Sequence, residues 1–371
     1  MKRKLVSLML AVAICVNLCG CICLFSDSYH YETEFSGGAP LQFDPEVEVV
    51  QNYAELRRVV FAMVNSHEES VELMFSGYAG NAMSDIASVC NAVKTESAYG
   101  AYCVNYVAYD LTQIVSTYRA TITISYLYSN EELEGLATVS NHESFTALML
   151  QALEQEESKL VVKINNGTSD VAQVESLIQD SMRNNPLSIS YYPKATVKIY
   201  SGNSSQKVYE VNVTYDDTID NESRLTETHS AVQKLLYPIG RENLGRTIVG
   251  AATALSNLCV ISDFGGDTAY DALCLAQANS EGVACAFKAI CDVLEIECLV
   301  VVGKMGKNEH YWNIVKVDSD YYHVDVSMLE KLGGERALFL RDADKQVDCW
   351  WNQAEYPDCE GALTYEAVFL P

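Results

Sequence analysis

An α+β fold of more than one domain is what this 371-residue chain predicts, and three observations carry that expectation. Hydrophobic residues make up 49% and charged residues 20% of it, which supplies ample core and excludes wholesale disorder, collagen and coiled coil. Residues 50–217 run twice through the same order of helix-period and strand-period segments. Residues 280–327 read as a helix, a buried strand and a hairpin.

The N-terminus is an address. Lys2-Arg3-Lys4 precedes an apolar run over residues 5–18, too short to span a bilayer comfortably but of the form an export signal takes. The run ends Leu18-Cys19-Gly20-Cys21, which resembles a bacterial lipobox with Cys21 as the lipid acceptor. Cys19 is bulky for its slot, which leaves an ordinary signal peptide or an uncleaved anchor as alternatives. Residues 1–20 are therefore expected to be a lipoprotein-type signal and residues 21–45 a polar tether. The chain would be anchored outside the bacterial cell membrane by lipid, with secretion as the alternative. Removing residues 1–20 takes three cations and no acid, so the net charge of −25 becomes −28.

That charge limits partners. With 25 Lys and Arg against 50 Asp and Glu, and no basic run, the chain would repel a phosphate backbone, so no nucleic acid is expected. Anionic headgroups are disfavoured for the same reason, leaving the N-terminal lipid as the one membrane contact.

Of thirteen cysteines, Cys15, Cys19, Cys21 and Cys23 belong to the signal region. The other nine are scattered without a CxxC pair or a Cys/His cluster at zinc spacing, so several should be small buried apolar residues and no metal is expected. Cys349 and Cys359 are the best candidates for a bridge.

The first α+β repeat spans residues 46–135. Leu56, Val59, Val60 and Met63 mark a helix, Ser70-Val-Glu-Leu-Met-Phe75 a strand, Asp85-Ile-Ala-Ser-Val89 a second helix, and Ala120-Thr-Ile-Thr-Ile-Ser-Tyr126 a closing strand. The second repeat, residues 136–217, answers with Phe145, Leu148, Met149 and Leu153, then Lys159-Leu-Val-Val-Lys-Ile164, Asp170-Val-Ala-Gln-Val-Glu-Ser-Leu177 and Tyr209-Glu-Val-Asn-Val-Thr-Tyr215. Each copy reads helix, strand, helix, strand, strand. Too few strands bury either sheet face, so the copies should pair. His67 and His142, at loop edges, are expected to be solvated. This half reads as scaffold or binding surface.

Residues 216–227 are polar and acidic and read as a boundary. Helical stretches over 230–237 and 243–258 open a third domain, residues 228–371, the first ended by Pro238-Ile-Gly240.

Chemistry concentrates in residues 268–327. From Ser280, the apolar positions Val283, Ala284, Phe287, Ile290, Cys291 and Leu294 fall at helical spacing, so Ser280 stands where N–H groups and the helix dipole favour negative charge. The plainer reading makes Ser280 an N-cap with Glu281 in the first turn. His310-Tyr-Trp-Asn-Ile-Val and Tyr321-Tyr-His-Val-Asp325-Val form a hairpin about Asp318-Ser-Asp320. His310 and Asp325 share one face by parity, although an ideal two-residue loop is expected to seat Asp325 opposite Ile314. Contact would then need a longer turn, a bulge or strong twist. His323 reads as structural.

These residues resemble the transglutaminase-like superfamily, whose core is that of papain-like cysteine proteases. The family pattern Ala-Tyr-Gly-Ala-Leu, Val-Cys-Glu-Gly-Tyr-Ala-x-Ala-Phe, His-x-Trp-Asn and Tyr-His-Val-Asp-Val-Thr-Trp is met by Ala269-Tyr-Asp-Ala-Leu273, Asn279-Ser-Glu-Gly-Val-Ala-Cys-Ala-Phe287, His310-Tyr-Trp-Asn313 and Tyr322-His-Val-Asp-Val-Ser-Met328. Phe339-Leu-Arg-Asp342 and Tyr356-Pro-Asp-Cys359 resemble the tail of bacterial members. The likeness covers roughly residues 228–360. It implies Ser280, His310 and Asp325 at the catalytic positions, Trp312, Glu281 and Gly282 on the substrate-binding side, and no cofactor.

The family's nucleophilic Cys falls on Ser280. Cys285, five residues on, lies about 140° round the helix and ~7.5 Å along it, at a position the family commonly gives to the surface. Val283 and Met328 replace the family's Tyr and Trp, so substrate-side contacts have drifted too. A serine hydroxyl has no accessible anion and needs general-base help that a site shaped for thiolate supplies poorly. The expectation is a catalytically impaired transglutaminase-like module binding peptide, protein or cell-wall-linked material. The alternatives are an active acyl-transfer enzyme (a peptide amide hydrolase or protein-glutamine transferase) working through Ser280, a different nucleophile at Cys274 or Cys285, or a purely structural role.

Overall fold

The computed structural model describes residues 47–370. The expected export signal and tether, with Cys21, lie outside the described residues. Helices and strands mix along the rest, and the fold is α+β.

The first part runs β1 (Glu48–Asn52), α1 (Tyr53–Ser66), β2 (Ser70–Ala79), α2 (Ala82–Glu96), α3 (Ala98–Cys103), β3 (Val104–Ile114) and β4 (Thr117–Tyr126). Its sheet has the order β1-β2-β4-β3, with β1 parallel to β2 and the other pairs antiparallel. Asn52 and Asn81 start α1 and α2 by accepting first-turn N–H groups on their side chains. Helix α1 turns Leu56, Val59, Val60 and Met63 inward, the stripe its spacing predicts.

After α4 (Asn130–Glu134) come β5 (Ala137–Val139), α5 (His142–Glu154), β6 (Lys159–Ile164), α6 (Val171–Arg183), β7 (Lys194–Ser201) and β8 (Lys207–Thr214). The second sheet is ordered β5-β6-β8-β7 with the same pairing senses as the first. Each sheet thus carries a short leading strand, β1 or β5, that the sequence pattern does not announce. Such short strands leave too little alternation to register.

His67 corrects an expectation. It is 8% exposed and its Nε2 lies 2.5 Å from the Tyr99 hydroxyl. Burial, with Lys163 nearby, lowers its proton affinity.

The C-terminal part opens on α7 (Asn221–Leu236), which starts inside the acidic stretch expected to be a boundary. Asp220 caps it, accepting from the Ser223 N–H at 2.9 Å, and Glu222 stands in the first turn where the helix dipole favours an anion. There follow α8 (Leu244–Leu258), β9 (Val260–Gly266), α9 (Ala269–Leu273), β10 (Gln277–Ala278) and α10 (Ser280–Val293). Then come β11 (Cys298–Met305), β12 (Asn308–Val317), β13 (Asp320–Val324), α11 (Leu329–Leu332), β14 (Leu338–Leu340), α12 (Asp342–Lys345) and β15 (Cys349–Trp351), followed by short 3-10 turns. The five strands form one antiparallel sheet in the order β14-β13-β12-β11-β15.

Helix α10 is buried nearly all round, including Val283, Ala284, Cys285, Ala286, Phe287, Ala289, Ile290 and Cys291. An apolar girdle of that kind marks a central helix. Asn313 of β12 ties it to the sheet by donating its Nδ2 to the Ala284 carbonyl at 2.9 Å. This helix and strand β12 place the candidate site. No helix among the described residues is long and apolar enough to cross a membrane.

Candidate active site

The cap of α10 is Asn279, whose side chain accepts from the Gly282 N–H at 3.0 Å. Ser280 is the first helical residue, a correction to the N-cap reading, and its hydroxyl is free of that duty. It is half-buried, and its Oγ accepts the Tyr311 N–H at 3.3 Å. Glycine is required at 282 because a Cβ there would meet the Gly266 carbonyl oxygen at 2.6 Å.

Across from it, Val317 pairs with Asp320 around a turn of Asp318 and Ser319, Asp318 taking the left-handed conformation at φ 56°. Ile314 therefore faces His323, not Asp325. The register lies two residues from the one expected, and Asp325 follows directly after the Asn313–Val324 pair. That makes His310 and Asp325 diagonal neighbours on one face, with no longer turn needed. His310 Nε2 and Asp325 Oδ2 are 2.6 Å apart. His310 Nδ1 makes no hydrogen bond within the protein among the described residues, and none joins His310 to Ser280.

Asp325 is 1% exposed, and a third group shares it. Lys345, the last residue of α12, is itself buried and donates Nζ to the same Oδ2 at 2.5 Å, while Ser327 Oγ donates to Oδ1 at 2.7 Å. Burial alone would push the Asp325 carboxyl up. The Lys345 ammonium, with His310, overrides that and holds it well below the usual carboxylate range.

Trp312, expected on the substrate side, is 1% exposed. Its indole N–H donates to His323 Nδ1 at 2.9 Å, and Lys345 Nζ sits 4.6 Å from its ring centroid. It is a packing and orienting residue. Glu281 is likewise buried and accepts from Arg183 Nε at 2.6 Å, bringing the end of α6 against the start of α10. A cavity of about 450 Å³ opens beside that pair, lined by Glu175, Tyr192, Lys194 and Asp267 among others.

His323, Asp342 and Cys359 present one nitrogen, one oxygen and one sulfur within 4.8 Å of one another. An indole is a donor only, so His323 Nδ1 accepts from Trp312 and the ring proton resides on Nε2, which donates to Asp342 Oδ1 at 2.8 Å. Asp342 Oδ2 accepts the Cys359 N–H at 3.1 Å. A metal would need Nε2 unprotonated and Nδ1 as a donor, the reverse of this pattern. The cluster is a hydrogen-bonded brace under Trp312.

The nine cysteines of the described residues are all free, which corrects the expected Cys349–Cys359 bridge. Both pack in an apolar cluster with Trp312 and Trp351. Cys285 is 1% exposed against Tyr192, where a surface position was expected, and burial pushes its thiol up to about 12. Burial also raises the Cys274 thiol. Neither is an activated nucleophile.

Sequence reasoning missed Lys345 and Arg183. Lys345 stands in Arg341-Asp-Ala-Asp-Lys345, which reads as a solvated charge run, and Arg183 reads as a cation completing a helix C-terminus. Only tertiary packing turns either inward.

No family model matches the chain, and no curated protein matches it. Among solved structures it is similar to a crystal structure of a TGase at 10% identity, over 62% of this chain and 69% of that one, with a TM-score of 0.29. It is also similar to a protein from Cytophaga hutchinsonii described as a candidate cysteine protease, at 11% identity, over 46% of this chain and 71% of that one, with a TM-score of 0.26.

Proposed function

We propose that residues 228–371 form a transglutaminase-like domain of an exported, lipid-anchored protein, catalytically impaired and used to bind peptide, protein or cell-wall-linked material. The supporting observation is the double occupation of Asp325 Oδ2 by His310 and Lys345. A base that takes a proton from a hydroxyl becomes a cation and needs its carboxylate partner's full negative charge. Here an ammonium already neutralises that carboxylate. Two cations on one oxygen would lie within about 5 Å of each other, a repulsion of ~3 kcal/mol at an effective dielectric near 20. Ser280 compounds this, since a hydroxyl depends on such a base more than a thiol does.

The second reading, an active acyl-transfer enzyme, is favoured by one specific feature. Asn279 caps α10, so the Ser280 hydroxyl is not consumed, and His310 Nδ1 is left over for it. In that case Ser280 Oγ attacks the acyl carbon, His310 Nδ1 takes the hydroxyl proton and returns it to the leaving amine, and water or a second amine releases the acyl group from Ser280.

A fluorophosphonate probe on the mature chain separates the two, with co-sedimentation on purified peptidoglycan as the binding readout. The impaired module leaves Ser280 unlabelled and still binds. Labelling at Ser280 that disappears in His310→Ala would establish the enzyme instead.

A further inference from the structure

The N-terminal half reaches into the site through one side chain. Arg183 ends α6 and is 9% exposed. Its Nε donates to Glu281, the residue after Ser280, at 2.6 Å. Its Cζ lies 5.3 Å from the ring centroid of Tyr311, the residue after His310. The Tyr311 N–H in turn donates to Ser280 Oγ. One planar cation thus touches both segments that carry the candidate nucleophile and base. Asp180 Oδ1 at 2.8 Å and Gln179 Oε1 at 3.3 Å, three and four residues back on α6, fix the fork itself.

We propose that Arg183 is a positioning residue that sets the spacing between the Ser280 and His310 segments, so that the site is a joint product of both halves of the chain. The proposal rests on reading Ser280, His310 and Asp325 as the site. Two neighbouring residues support it independently. Asn184 Oδ1 accepts the Val300 N–H of β11 at 2.9 Å, and the Tyr192 hydroxyl lies 3.3 Å from both the Asp267 carbonyl oxygen and Cys285 Sγ on α10. The end of α6 and the loop after it therefore grip the sheet and the helix of the site together. A buried Arg–Glu pair is weak support for stability as such, and fixing register is the use for which such pairs are best attested.

Hydrogen exchange of the full mature chain, read by mass spectrometry, tests this without requiring activity. Arg183→Met should speed exchange more than tenfold in the peptides covering residues 278–285 and 309–313, and leave β13, β14 and the first sheet unchanged. Arg183→Lys keeps the charge but loses the fork, and should give a smaller loss confined to the same two segments. It also serves if Arg183→Met does not fold. Unchanged protection in both segments, or a loss spread evenly over residues 228–370, would overturn the proposal. If protection behaves as expected while Ser280 proves inert to every probe, the positioning role stands and the enzymatic reading alone falls.

Discussion

Lys345 and His310 meet at a single oxygen: both donate to Asp325 Oδ2, at 2.5 and 2.6 Å, and all three side chains are buried. Removing the lysine would leave that buried oxygen with one partner in place of two. Lys345→Met should therefore lower unfolding free energy by about 3 kcal/mol, the scale for breaking a buried ion pair. Urea denaturation measures it, and a loss under about 1 kcal/mol would mean the ammonium is solvated and does not restrain the site.

Acid should weaken the fold in two stages. Burial pulls His323 down to about 4, with Asp342 opposing, so the unfolded chain takes up a proton near pH 6.5 that the folded chain refuses. Stability then falls as pH drops from about 6.5 to about 4. Asp325, held well below the usual range, adds a further loss as pH falls below about 4, where the unfolded carboxyl protonates first. His323→Gln should flatten the first stage by roughly 1.4 kcal/mol per pH unit in urea titrations at a series of pH values. An unaltered slope would show that His323 titrates normally.

Much of this was legible in the sequence. The helix beginning at Ser280, the hairpin of His310 and Asp325, and the stripe Leu56, Val59, Val60 and Met63 announce themselves because periodicity and a tight turn are local properties. The register differs from the expected one because the two-residue turn falls on Asp318 and Ser319, one position earlier, with Asp318 in the left-handed conformation, and residue types alone leave that placement open. His67 and Cys285 read as exposed in the sequence because burial by Tyr99 and Tyr192 comes from residues 32 and 93 positions away. Lys345 and Arg183 escaped notice for the same reason.

The thiols offer a direct check on the absent bridge. Alkylation under denaturing conditions without reductant should modify Cys349 and Cys359 along with the other described cysteines, whereas the native protein should protect both. A chain two mass units lighter across the peptides of Cys349 and Cys359 would restore the bridge.

Attachment is tested at Cys21. Cys21→Ala should release the protein to the medium or leave an uncleaved precursor, scored by fractionation and mass. A mature-sized species that stays with the membrane would count against lipidation.

An assembled site held down by Lys345 should show in the rate of alkylation of Ser280→Cys against pH. The helix N-terminus and His310 should let that thiol react well below the free-thiol value of ~8.5. Adding His310→Ala should slow it, and adding Lys345→Met should speed it about tenfold at neutral pH by returning the full charge of Asp325 to His310. A thiol that titrates as a free one and ignores both second substitutions would mean that Ser280, His310 and Lys345 do not act as one site.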